Sequence, residues 1–115
     1  MPWWNTAAQW YSRQNHQGRI AYLDPYFAYK VGLNPKNQER VIMLWHLNKE
    51  DPTQSLADGD LIMWESHYGP LEGGISESAI TQNPQLEILK YLEITGRHAR
   101  NSEKPYRIYL AKVHK

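Results

Sequence analysis

The chain has 115 residues, 41% of them hydrophobic, enough for one ordinary globular domain with a single core and no need of disulfides or metals. Thirteen basic and twelve acidic residues leave a formal charge of +1, with no Lys/Arg cluster longer than a pair, so phosphate neutralisation along a nucleic acid is disfavoured. The absence of cysteine excludes thiolate metal sites and a cysteine nucleophile, and no apolar run approaches the roughly 20 residues of a membrane helix, so the chain reads as a soluble domain.

Residues 1–18 form an amphipathic pattern. Trp4, Ala7, Ala8 and Tyr11 fall on one helical face, Trp3 and Trp10 broaden it, and Gly18 supplies a stop. Residues 19–24 (RIAYLD) read as a first buried strand left through Asp24-Pro25. Pro25 then suits the first position of a short helix, with Asp24 as its cap and Gly32 and Asn34-Pro35 as its end. Capping is the commoner use of an aspartate at such a place, ahead of catalysis. Residues 41–47 (VIMLWHL) are apolar at nearly every position, and their length predicts a strand. His46 within this run reads as an edge or satisfied histidine, not a ligand. Residues 48–60 turn polar and read as a loop.

The densest chemistry lies in residues 56–74, LADGDLIMWESHYGPLEGG. A turn at Asp58-Gly59-Asp60 leads into the apolar run Leu61, Ile62, Met63 and Trp64, which suits a strand buried on both faces. Glu65, Ser66, His67 and Tyr68 leave that strand at its carboxyl end, where ligands usually sit in open α/β sheets. Glu72 follows on a flexible Gly-rich segment. In an extended exit Glu65 and His67 share a face, and Glu72 joins them if the Gly69-Pro70 turn folds back. A three-ligand metal or hydrolytic site is one use of that set; solvated or locally hydrogen-bonded side chains are the commoner one. Trp64, Tyr68 and Tyr26 are candidates for stacking on a sugar or anchoring a partner, although core packing is the commoner use of an aromatic placed as Trp64 is, inside an apolar strand.

Residues 75–82 are weakly patterned and suit an irregular or single helical turn. Asn83-Pro84 followed by Leu86, Ile88, Leu89, Tyr91 and Leu92 predicts a well-marked helix ending at Gly96. Residues 106–113 (YRIYLAKV) predict a last strand, apolar on both faces and therefore interior to the sheet. The order predicts an α/β fold: a small three-layer sandwich with a mostly parallel or mixed sheet, Rossmann-like but without a nucleotide-binding loop, because neither G-x-G-x-x-G nor G-x-x-x-x-G-K-[ST] occurs. No cofactor and no metal are assigned, and no G-x-S-x-G or H-E-x-x-H motif marks a reaction.

The segments AAQWYSRQN, RIAYLDPYFAY, LADGDLIMWESHYGPLEGG and YRIYLAKV together resemble the domain that follows the last transmembrane helix of certain bacterial membrane glycosyltransferases. These use polyprenyl-phosphate sugars, are related to the dolichyl-phosphate-mannose type, and the likeness is to proteins of Bacteroidetes-type bacteria. The resemblance spans nearly the whole chain. It implies an accessory or binding domain, cut from a longer membrane protein just after a span and lying on the extracytoplasmic side. Its partners would be the membrane domain of the parent chain and a carbohydrate or lipid-linked sugar. Catalytic acids of that family sit in membrane-domain loops, which have no counterpart here, so no catalytic residue is carried over. Three classes of function remain open at this level: the accessory domain, a small metal-dependent or hydrolytic enzyme using Glu65, His67 and Glu72, and a carbohydrate-binding or protein-interaction module.

Overall fold

A computed structural model describes residues 3–14, 18–23, 25–34, 36–66, 70, 73–94 and 106–115. It shows a compact α/β protein built on a five-stranded mixed sheet. Helix α1 (Trp3–Arg13) precedes strand β1 (Ile20–Tyr22), helix α2 (Pro25–Val31) and strand β2 (Val41–Met43). Two short 3-10 turns, Leu44–His46 and Pro52–Ser55, lead to strand β3 (Leu61–Glu65). A five-residue helix α3 (Glu77–Thr81) and the long strands β4 (Leu86–Ile94) and β5 (Tyr106–Val113) complete the described elements.

The strand order is β2-β1-β3-β5-β4. Strand β1 pairs in parallel with β2 on one side and with β3 on the other, Ile20 lying opposite Val41 and Leu61. The crossover through α2 returns the chain to the same end of the sheet, which makes β1 and β2 parallel, and the sheet as a whole is mixed, within the parallel-or-mixed expectation. Strand β5 runs antiparallel to both β3 and β4, and its interior position accords with its two apolar faces.

Alternation along the buried strands sorts their side chains into two cores. Leu61 and Met63 face α1 and α2, joining Ala7, Tyr11 and Phe27, and the Tyr11 and Phe27 rings meet edge to face at 5.8 Å. Ile62 and Trp64 point to the opposite face, beneath Leu44, Leu47, Ile75 and Ile80 from the 3-10 turn, the segment before α3, and α3 itself. Buried Trp64 donates from its indole nitrogen to the Ile75 carbonyl at 2.8 Å, which pins that segment onto the sheet. Trp64 is thus a core residue, as its place within an apolar run suggests.

Two elements differ from the sequence-based expectation. The strand expected over residues 41–47 stops at Met43, and a tight turn follows. In a 3-10 turn residues three apart eclipse, so Leu44 and Leu47 are both buried while Trp45 and His46 stay exposed. The larger correction is at residues 83–94, where the helix predicted from Asn83-Pro84 is strand β4. Asn83 does not cap a helix. Its side-chain oxygen accepts from the Gln85 amide, and its carbonyl from the Leu86 amide, closing a turn that delivers the chain into the sheet. A register shift between Ile88 and Lys90 places an extra residue, Leu89, opposite no partner. That bulge breaks strict alternation, so apolar residues fall at 86, 88, 89, 91 and 92, a spacing that imitates a helical stripe. Smaller departures are the end of α1 at Arg13, short of Gly18, and the 3-10 turn at Pro52–Ser55 inside the predicted loop.

Candidate functional site

The three parallel strands β1, β2 and β3 and the co-directed β4 all end at one edge of the sheet, and β5 begins there. This carboxyl edge holds most of the polar groups of interest. Glu65 closes β3, follows Leu61 and Met63 onto the α1/α2 face, and is only 3% exposed. It accepts a short hydrogen bond from the Tyr106 hydroxyl at the start of β5. The next residue, Ser66, points to the other face, and its hydroxyl oxygen accepts from the Arg107 amide at 2.9 Å.

On that second face two cross-strand rows form. Trp64, Tyr109 and Tyr91 make an aromatic row across β3, β5 and β4, with ring centroids 5.8 and 4.9 Å apart. Beside it, Arg107 lies opposite Glu93. Glu77, the first residue of α3, reaches this surface: its Oε2 accepts from Arg107 Nε at 2.8 Å and from the Tyr109 hydroxyl. Ser76 holds α3 in place by accepting from the Ala79 amide through its side chain. Tyr91 in turn donates its hydroxyl to Glu93 at 3.1 Å.

The electrostatics follow from these bonds. Burial alone raises the Glu77 pKa, but the hydrogen bonds from Tyr109 and Arg107 outweigh it and hold the carboxyl below its ordinary value. Burial, and then the bond to Glu77, push the Tyr109 phenol well up, so it stays a donor. Glu77 is moved down and Tyr109 up, both away from the range in which a group transfers protons at neutral pH.

Of the candidates from sequence, Glu65 is in the described structure and is buried against Tyr106. Tyr26 is the second residue of α2, with its side chain outside the description. Asp24, with its predicted capping role, and His67, Tyr68 and Glu72 lie outside the described residues. Among the described residues no group of three or more His, Asp or Glu side chains could hold a metal ion. His46 is exposed on the 3-10 turn after β2, at the rim of a cleft of about 320 Å³ that also takes in Arg19, Gln38 and Met43.

Tyr91, Glu93, Arg107 and Tyr109, together with Glu77, form a surface that sequence reasoning missed. Assigning residues 83–96 to a helix separates Tyr91 and Glu93 from β5, so the rows cannot be drawn. The signal available was the alternation of Arg107 and Tyr109 on one face of the last strand, which asks for polar partners opposite. Comparisons with protein families, with curated proteins and with solved structures find no match.

Proposed function

We propose that the chain is an accessory or binding domain of a bacterial membrane glycosyltransferase that uses polyprenyl-phosphate sugars, working beside the membrane part of its parent chain on the extracytoplasmic side. The resemblance of four segments supports the association, and one structural observation supports a binding role over a catalytic one. Two carboxylates at the carboxyl edge hold elements together: Glu65 is buried against Tyr106, and Glu77 joins α3 to β5 through Arg107 and Tyr109. A general acid or base needs a proton within reach of a reacting group and a matched pKa, and Glu77 is moved in the wrong direction for that. No helix among the described residues is long and apolar enough to cross a membrane, so the proposed attachment runs through the parent chain.

A carbohydrate-binding or interaction module is the second reading, favoured by the half-exposed Tyr91 on the sheet surface. A metal-dependent or hydrolytic enzyme rests on Glu65, His67 and Glu72 acting together, and the one member within the described residues faces Tyr106. We also read the sheet as the centre of a small three-layer, Rossmann-like sandwich, on the strength of its two separate cores.

The reading frame upstream of Met1 tests the association. Several hydrophobic spans are expected there; a natural start with none would sink the glycosyltransferase reading. The isolated chain is expected to show no turnover of a polyprenyl-phosphate sugar, and measurable transfer would replace the accessory role with a catalytic one.

A further inference from the structure

The β4/β5 surface has the parts of a saccharide subsite. Tyr91 packs one side of its ring on Tyr109 at 4.9 Å with a 38° tilt, yet 46% of the residue is exposed, leaving the outer ring face to solvent. Beside that ring stand Glu93, which accepts from the Tyr91 hydroxyl, and Arg107, which lies opposite Glu93 in the register. Glu77 gives both its bonds through Oε2, to Arg107 and Tyr109, and its side chain is 31% exposed. Among the described residues no hydrogen bond reaches its Oε1.

We propose that this surface binds a neutral pyranose, with the Tyr91 ring under an apolar face of the sugar and Glu77 and Glu93 accepting from its hydroxyls. Aromatic faces suit the C–H side of a pyranose, and the two carboxylates near the ring offer acceptors to its hydroxyls. Two carboxylates beside one guanidinium disfavour a phosphate. The inference rests on the accessory-domain reading for its biological sense, but its chemistry stands on the surface alone.

The test is chemical-shift titration of the 115-residue chain with methyl α-mannoside, methyl β-galactoside and N-acetylglucosamine at millimolar concentration. At least one is expected to shift the amides around Tyr91, Glu93 and Arg107. Tyr91→Ala is expected to weaken that binding roughly tenfold, the upper range of an aromatic contact. Tyr91→Phe keeps the ring and is expected to stay within a few-fold of wild type, and Tyr29→Ala, at a distant exposed tyrosine, to leave binding unchanged. Should Tyr91→Ala fail to fold, Glu93→Gln serves in its place, with a several-fold loss expected. No shift with any of the three sugars, or binding indifferent to both Tyr91→Ala and Glu93→Gln, overturns the proposal. The two readings fail separately: sugar binding without upstream membrane spans removes only the glycosyltransferase association, and spans without sugar binding remove only the subsite.

Discussion

Tyr22 ends β1 with its ring packed at 5.7 Å from Phe27, and its hydroxyl is buried with no hydrogen-bond partner among the described residues. A buried polar group without a partner costs about 1–3 kcal/mol of desolvation. Burial likewise pushes the phenol pKa up. Tyr22→Phe keeps the ring and deletes the orphan oxygen, so it is expected to leave stability unchanged or raise it by about 1 kcal/mol. Urea denaturation checks this, and a clear loss of stability would show that the hydroxyl is satisfied in solution. Asp60 shows the opposite situation: it is buried, but its two oxygens accept from the Arg19 and Ala57 amides at 3.0 and 2.9 Å. Its Gly59 neighbour, at a φ of 91°, supplies the left-handed turn that lets the carboxylate face back on the strand entries.

Glu77 carries a pH dependence with a definite sign. Its folded-state pKa lies below the ordinary 4.5 because the bonds from Tyr109 and Arg107 outweigh burial. A depressed carboxyl stabilises the fold above its unfolded value and gives that up as pH falls through the folded value. Asp51 acts in the same direction, through bonds from the Thr53 hydroxyl and then Asn83. Stability is therefore expected to be level from neutrality down to about pH 5 and to fall below about pH 4.5, the range in which an unfolded glutamate takes up its proton. Glu77→Gln is expected to make the acid limb shallower. Urea midpoints across that range measure it, and equal acid limbs in the two proteins would remove Glu77 from the linkage.

At the scale of elements, β4 carries the clearest lesson. Its sequence offers a cap-like Asn83, a proline and a stripe of leucines, all of which suit a helix. What decides for a strand is β5, which presents a full ladder of partners from Val113 to Tyr106. Pairing there half-buries Leu89 and Leu92 against the α1/α2 core and Leu86 against the other. Propensity differences among such residues amount to a few tenths of a kcal/mol each, which a sheet ladder and a buried face easily override. Carbon chemical shifts of residues 86–94 are expected to be extended throughout, with a local irregularity at Leu89. Helical shifts there would overturn the assignment, and with it the Tyr91 surface. The charges along this edge strand, Glu87, Lys90 and Glu93, and its bulge both discourage pairing with a further strand.

Over the molecule as a whole, local sequence signals were enough for the α/β class, the opening helix, α2 and the parallel directions of β1 and β3, though not for their adjacency. They were also enough to place Trp64 and the last strand inside. These rest on local signals that agree with one another: helical periodicity in Ala7, Ala8 and Tyr11, proline at the head of α2, and short apolar runs whose length favours buried strands. Glu65 was legible as a residue at the carboxyl end of β3, but its partner was not, because Tyr106 is 41 residues away and meets it only through antiparallel pairing of β3 with β5. The same holds for Glu77 with Arg107 and Tyr109, and for Tyr91 on Tyr109. Only tertiary structure decided that residues 86–94 form a strand and that a polar and aromatic surface gathers on β4 and β5. The physical reason is that strand pairing is non-local: a bulged strand and a helix share one apolar spacing, and the hydrogen bonds that separate them come from a segment elsewhere in the chain.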